Sequence, residues 1–330
     1  MENINNKNKR MFVNVKTRKV TSMDNNVIFE QYDRNGNLIF KKCNEFEVLK
    51  SEEKREYDAY NNCIHKVKYD GNKNTLFECW TEYNENNLVK HYKELDGKEY
   101  HCIYDELNRL ELIAYKNGDV KRFVYNENNN VITEYRFYTN INYNLKSVDR
   151  NLKIKGNHIE SHYKYDKNNN LIHVKTINTR DNSILEDTSY VYDKRGNCII
   201  AIFDDGSITY NKYDKRGNCL FTKSKYDDKY ISWTKYKYDK NNNIILSYSN
   251  DCYGKSKYCK YGIVEDKYYI DDTVIKNYRY KYDKYGHLIE KINMLNNRIE
   301  AKYKYDKFGN VIYQEDLNGY YTNIEYEYFE

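Results

Sequence analysis

No stretch of this 330-residue chain is apolar enough to cross a bilayer, and no helical period of 3.6 residues persists anywhere along it. The polar opening Met1-Glu2-Asn3-Ile4-Asn5-Asn6-Lys7-Asn8-Lys9-Arg10 leads into no apolar core of a secretory signal. Its eight cysteines include no Cys-x-x-Cys pair, which removes the common zinc-ribbon and thioredoxin-like readings. Charge of one sign is also lacking. The 55 basic and 50 acidic side chains give a formal +5, with both signs mixed throughout, so no membrane or nucleic-acid partner is expected. Reduced cysteines and the missing signal imply a cytoplasmic protein.

What is abundant is tyrosine. Forty of them, with a mean hydropathy of -1.05, mean that Tyr rings supply much of the buried apolar area while their hydroxyls reach polar partners. Tyr and β-branched residues favour strands. One phrase organises them: Tyr-Asp-x-x-Gly/Asn-Asn followed by two apolar residues. It stands at Tyr32-Asp33 through Ile39, Tyr57-Asp58 through Ile64, Tyr165-Asp166 through Ile172, Tyr192-Asp193 through Ile199 and Tyr213-Asp214 through Leu220. Tyr238-Asp239, Tyr282-Asp283 and Tyr305-Asp306 carry it too, with variants at Tyr83, Tyr104 and Tyr125. The anchors recur about every 23 residues. Two gaps near double that length place eroded copies at Tyr143 and Tyr261, for about thirteen repeats.

Each phrase reads as a hairpin turn. The Asp accepts hydrogen bonds from backbone N–H groups two residues on, and Gly or Asn at the fifth position tolerates the left-handed backbone of a type I turn with a G1 bulge. Ahead of the turn Tyr alternates with Lys, as in Tyr163-Lys164-Tyr165 and Tyr236-Lys237-Tyr238, so rings and lysines take opposite faces. Half a period later comes a second turn, Leu95-Asp96-Gly97-Lys98, Lys116-Asn117-Gly118-Asp119, Asp204-Asp205-Gly206-Ser207 or Leu317-Asn318-Gly319-Tyr320, with the Asn-Gly and Asp-Gly pairs of two-residue hairpins. The fold class is therefore all-β: tandem antiparallel β-hairpin repeats of about 26 strands, forming one long curled or spiralling, shell-like sheet. An extended single-layer sheet is the alternative. Residues 1–27 are expected to be a polar arm and an opening strand around Met11–Lys16, and residues 28–330 the repeat array.

The phrase resembles the tyrosine-aspartate (YD) repeat of the RHS family, whose repeats build the hollow β-sheet shells of bacterial Rhs and Tc toxins and of teneurins. In the large toxins the repeats end in a proline-containing core signature that releases a C-terminal effector. Here proline is absent altogether, and Tyr328 falls in phase with Tyr305, so no effector is expected after the array.

Candidate chemistry is sparse. His158, Glu160 and His162 share one strand face and could converge on a metal, though they also continue a polar outer face. Cys252 and Cys259 are a further close pair with weak metal or disulfide potential. Cys63, Cys198 and Cys219 fill slots that elsewhere hold Leu, Val or Ile and read as small hydrophobes. His65, His91, His101, His173 and His287 show no fixed slot. The turn aspartates are caps rather than calcium ligands, one carboxylate per turn being too few. No catalytic residue, cofactor or metal site is assigned. The reading is a non-catalytic repeat scaffold with a protein partner, immunity-like, toxin-associated or a free-standing RHS-type shell. The alternative is carbohydrate binding by a Tyr-rich face, for which only Trp80 and Trp233 offer indole rings.

Overall fold

The computed structural model describes residues 15–138, 156–226, 231–250 and 252–329. Among them every regular element is a strand. The first seven are β1 (Val15–Ser22), β2 (Val27–Tyr32), β3 (Leu38–Glu45), β4 (Val48–Tyr57), β5 (Cys63–Asp70), β6 (Thr75–Tyr83) and β7 (Val89–Glu94). Next come β8 (Glu99–Tyr104), β9 (Leu110–Tyr115), β10 (Val120–Tyr125), β11 (Val131–Phe137), β12 (His158–Tyr165), β13 (Leu171–Asn178) and β14 (Ser183–Tyr192). Then follow β15 (Cys198–Ile202), β16 (Ile208–Tyr213), β17 (Cys219–Lys225), β18 (Ile231–Tyr238), β19 (Ile244–Ser249) and β20 (Cys252–Cys259). The last six are β21 (Gly262–Ile270), β22 (Thr273–Tyr282), β23 (Leu288–Asn293), β24 (Arg298–Tyr305), β25 (Val311–Asp316) and β26 (Tyr321–Tyr328).

Tyrosine closes a strand and the following Asp opens the turn, as the phrase predicts. At Asp33 the N–H of Gly36 bonds back to the Asp33 carbonyl (3.0 Å) while the Asp33 N–H bonds to the Asn37 carbonyl (2.9 Å). The ladder shifts register between Gln31 and Tyr32, the mark of a bulge, and Gly36 sits at φ 77°. In other repeats Asn takes that left-handed position, Asn61 at φ 66° and Asn169 at φ 64°. The half-period turns repeat this geometry instead of the two-residue form expected. Glu94 N–H bonds to Lys98 O (2.7 Å) and Gly97 N–H to Glu94 O (3.2 Å), so the Asp-Gly pair serves a bulged turn. A two-residue turn is made where no Gly is present: Glu45 faces Val48 across Phe46 and Glu47, both with positive φ.

The expected eroded copies fare differently. Tyr143 lies outside the described residues. β11 pairs directly with β12, from Thr133↔His162 to Phe137↔His158. Tyr261 belongs to the turn itself, because Cys259 faces Gly262 across Lys260 and Tyr261. The anchor of that repeat is Tyr258, where the register shift occurs. Of the proposed opening strand Met11–Lys16, only Val15 and Lys16 are described, and they begin β1.

The open-ended sheet expected from the sequence is corrected by one pairing. Twelve hairpins run from β2/β3 to β24/β25, leaving β1 and β26, and these two pair with each other from Val15↔Tyr328 to Ser22↔Thr322. β1 also pairs with β2 and β26 with β25, so neither of these two strands presents an unpaired edge. The physical reason is that an open edge exposes a row of unpaired N–H and C=O groups, which mutual pairing of the terminal strands satisfies without a cap.

Two compact units divide the chain, Met1–Glu99 with Tyr278–Glu330 and Tyr100–Asn277. In the first, Val15, Tyr32, Val67, Cys79 and Ile324 are buried. In the second, Leu112, Ala114 and Val120 form a fully enclosed cluster, with Ile103 and Phe137 packed against it. Most other strand residues are only half-buried, so stability rests on cross-strand pairs and turn bonding more than on a deep core.

Candidate functional site

The repeat residues make the turns and the links between repeats. Asp33 accepts from the backbone N–H groups of Asn35 (2.9 Å) and Asn37 (2.8 Å) on one oxygen, and from the Asn37 side-chain amide (2.9 Å) on the other. Asp166, Asp193 and Asp239 do the same, and the Asn side-chain bond, with the backbone N–H bonds, holds each carboxyl below its ordinary range. The capping Asn then reaches the next turn: Asn37 donates to Asn61 Oδ1 (2.9 Å), Asn62 to Asn87 (3.1 Å) and Asn218 to Asn242 (2.9 Å).

The anchor tyrosines make a second link between repeats. Tyr57 OH donates to Leu38 O (2.9 Å), Tyr83 to Cys63 O (3.2 Å), Tyr192 to Leu171 O (2.9 Å) and Tyr238 to Cys219 O (2.7 Å). Each acceptor is the residue facing the preceding anchor across the bulge. Tyr165 reaches Val131 O (3.0 Å) in the same way, although 34 residues separate them. Burial pushes these phenols above their ordinary pKa, first through loss of solvent.

Cys63, Cys198 and Cys219 are half-buried in the slots read as apolar, and Cys79 and Cys102 are buried. Cys252 Sγ meets the hydroxyls of Ser249 (2.8 Å) and Tyr268 (2.6 Å), and Cys259 is exposed. All eight are free thiols. Burial pushes Cys102 up to about 11 and raises Cys63 and Cys198, which disfavours the reactive thiolate. Cys252 and Cys259 stand at opposite ends of β20, an odd number of residues apart and so on opposite faces, and share no site.

His158, Glu160 and His162 do come together on β12. His162 Nε2 lies 3.1 Å from one Glu160 oxygen and His158 Nε2 3.8 Å from the other. The His158 ring is packed against Phe137, with centroids 4.7 Å apart. Among the described residues no group of three or more His, Cys, Asp or Glu is arranged to hold a metal ion. Three of the other histidines occupy a slot that the sequence reading missed. His65, His91 and His173 are each the third residue of their strand, and each meets a carboxylate: Glu78 (2.9 Å), Glu99 (3.0 Å) and Asp187 (2.8 Å). Spacing from the first apolar residue after the turn was the signal.

A charged row was also missed, because it appears only when strands are laid in register. Arg18 faces Glu30, Glu30 faces Lys41 and Lys41 faces Glu53 across β1 to β4. Glu30 is 6% exposed and accepts from Arg18 (2.8 Å), Lys41 (2.9 Å) and Tyr32 OH (2.9 Å). Burial pushes its carboxyl up, but the bonds from Lys41 and Arg18 prevail and hold it below the ordinary range. This is a structural ion cluster in which the Glu30 carboxylate is fully engaged, while Arg18 Nε has no partner.

The surface left open lies at the turn edge of the first unit. The third turn residue needs no special backbone and is Asn or Arg in most repeats, yet it is Tyr60, Tyr285 and Phe308 in three turns of this unit, 73%, 72% and 61% exposed. Lys284 and Lys307 flank the latter two, each 4.9 Å from the ring centroid. Phe308 meets Tyr328 at 4.8 Å and Arg34 lies 5.9 Å from the Phe329 ring, so the run of rings continues across the β26–β1 pairing. Of the two indoles, Trp80 is stacked on His65 (5.4 Å) and has Lys93 5.9 Å from its ring.

No family model matches the chain, and no curated protein matches it. Solved structures give distant similarities. A chain of the TcdB2–TccC3–Cdc42 crystal structure matches at TM-score 0.46 and 12% identity, covering 89% of this chain and 20% of that one. A chain of the Photorhabdus luminescens Tc holotoxin pore matches at TM-score 0.31 and 11% identity, covering 93% and 22%. A porin-like protein from Bacteroides uniformis matches at TM-score 0.22 and 8% identity, covering 95% and 98%. The chain spans about a fifth of the length of the toxin chains, and likenesses this distant carry no functional argument.

Proposed function

We propose that the chain is a non-catalytic repeat scaffold of the RHS type that holds another protein, as an immunity-like or toxin-associated partner or as a free-standing shell. The observation that carries this reading is the run of exposed rings at Tyr285, Phe308 and Tyr60. None of them is required by its turn, and each is an aromatic side chain of the kind that anchors protein interfaces. The Tyr-Asp phrase supports the assignment to the repeat type. Its Tyr and Asp groups are engaged in links between repeats and in turn capping, which supports a structural role for them. The experiment is capture from the native host with the tagged full chain, beside a variant carrying Tyr60→Ser, Tyr285→Ser and Phe308→Ser. A stoichiometric partner retained by the first and lost by the second is expected. Equal retention by both, or no retained protein, overturns the proposal.

A further inference from the structure

We propose that one face of β16 to β21, in the second unit, binds single-stranded nucleic acid. Within one strand Tyr and Lys alternate between faces. Register between strands brings rings and lysines of neighbouring strands onto one face. Lys212 faces Phe221, Phe221 faces Lys235 and Lys235 faces Tyr248, and paired residues of an antiparallel sheet share a face. The row continues through Tyr253 to Tyr269. On one side of it Lys223 faces Trp233, and on the other Lys237 faces Leu246, which faces Lys255. Rings and lysines therefore lie on one surface, in rows that cross six strands, a span of about 24 Å at the usual strand spacing.

Three observations make this surface a receptor for an anionic chain. A concavity of about 680 Å³ opens over Phe221, Trp233, Lys235 and Tyr248. Among the described residues, Lys212, Lys223, Lys235, Lys237 and Lys255 have no carboxylate within ion-pair distance. The nearest preference shown by two of them is for rings: Lys235 lies 5.3 Å from Trp233, and Lys255 5.1 Å from Tyr253. A second cleft of about 600 Å³ shares Leu220, Tyr236 and Lys237 with the first and has Lys215, Arg216 and Lys240 in its lining at the turn edge. The acidic groups there, Asp214 and Asp239, are already saturated by their turns, each accepting two backbone N–H bonds and one Asn side-chain bond.

Unpaired cations beside aromatic rings fit a phosphate backbone with stacking bases, without base-edge readout. The other polyanions fit half of this surface. A sulfated glycan or an acidic peptide uses the lysines and leaves the rings of Phe221, Trp233 and Tyr248 without a matching partner. The ligand is thus a sequence-tolerant single strand, and the protein-holding reading above does not depend on it, being placed on other residues.

The test uses the full chain and a fluorescein-labelled oligothymidylate of about 16 nucleotides, the upper range of a single-strand site. Anisotropy should show binding whose log affinity falls linearly with log salt, with a slope of about -3.5 for five neutralised phosphates. Lys235→Ala and Lys237→Ala should each flatten the slope by about 0.7. Trp233→Ala should weaken binding about ten-fold at unchanged slope, as loss of one stacked base does. These side chains lie on the exposed face, and unchanged thermal melting is checked alongside. Three results each overturn the proposal: no binding at low salt, equal or tighter binding of heparin or poly-glutamate, and an affinity that none of the substitutions moves.

Discussion

Tyr192 donates its hydroxyl to the carbonyl oxygen of Leu171, 2.9 Å away and 21 residues earlier. That carbonyl faces the bulge left by the preceding anchor, Tyr165. Each ring thus holds its own repeat against the one before it. Tyr192→Phe keeps the ring and removes this one bond, so the expected loss is about 1 kcal/mol of unfolding free energy. Tyr57→Phe, in another repeat, should cost a similar amount and add to it, because the two sites share no partner. Denaturant midpoints should fall for both variants with the slope of the transition unchanged.

The capping carboxylates give the protein an acid limit. In Asp166, Asp193 and Asp239 the Asn side-chain bond and the backbone N–H bonds lower the folded pKa below that of the unfolded chain. The stabilisation is therefore complete above the unfolded value, about 3.9, and is lost as pH falls through the lower folded values. Denaturation midpoints should be flat at neutral pH and drop steeply below about pH 4. Replacing all three aspartates by Asn, which does not titrate, should lower stability at neutral pH and flatten that drop.

Glu30 should be the costliest single residue to truncate in the first unit. Removing it takes the bonded carboxylate away from Arg18, whose Nε already lacks a partner, and from Lys41 and the Tyr32 hydroxyl. Glu30→Ala should cost about 3 kcal/mol, the lower range for breaking a buried ion cluster, since Lys41 is about a third exposed and regains water. Replacing the partners together, as Arg18→Met with Glu30→Leu, should cost less than Glu30→Ala alone. Equilibrium denaturation of the three proteins measures both statements.

Much of the repeat was legible because its determinants are local. Asp33, Gly36 and Asn37 specify one turn through bonds that span four residues, and the same spacing recurs from Asp58 to Asp306. Period alone misplaced an anchor at Tyr261, because the bulge requires Tyr ahead of the turn and Tyr258 occupies that position. Properties that depend on register were hidden. The Arg18–Glu30–Lys41 row and the shared face of Lys235, Phe221 and Tyr248 join residues from different strands, and no within-strand pattern contains them. Pairing of β1 with β26 joins residues about 300 positions apart and was equally out of reach.

The rings at Tyr60, Tyr285 and Phe308 permit a clean separation of stability from binding. Tyr60, Tyr285 and Phe308 stand at turn tips whose backbone bonds come from neighbouring residues, Asp58, Asp283 and Asp306 among them. Substituting each by Ser should alter stability by no more than about 0.5 kcal/mol, the usual range for surface positions. Thermal melting and denaturant midpoints of the triple variant should therefore match those of the parent protein.

The β1–β26 pairing gives the last prediction. In an open sheet these would be edge strands, and half of their amides would exchange with solvent within the time that loops do. With Val20 facing both Ile28 and Ile324, amides on both sides of β1 are bonded, so β1 and β26 should show protection like that of interior strands such as β4. The pairing also has an alkaline limit. Tyr328, the last residue of β26, donates to Asp306, and burial followed by that carboxylate pushes its phenol up to about 12. A phenol raised in the folded state stabilises it fully below the unfolded pKa of about 10 and loses that contribution as pH climbs through the folded value. Hydrogen exchange followed by mass spectrometry from pH 7 to 11, corrected for the intrinsic rate, should therefore show protection of β26 falling at the upper end. Tyr328→Phe should be less protected at pH 7 and show no such fall, which identifies Tyr328 as the group that titrates.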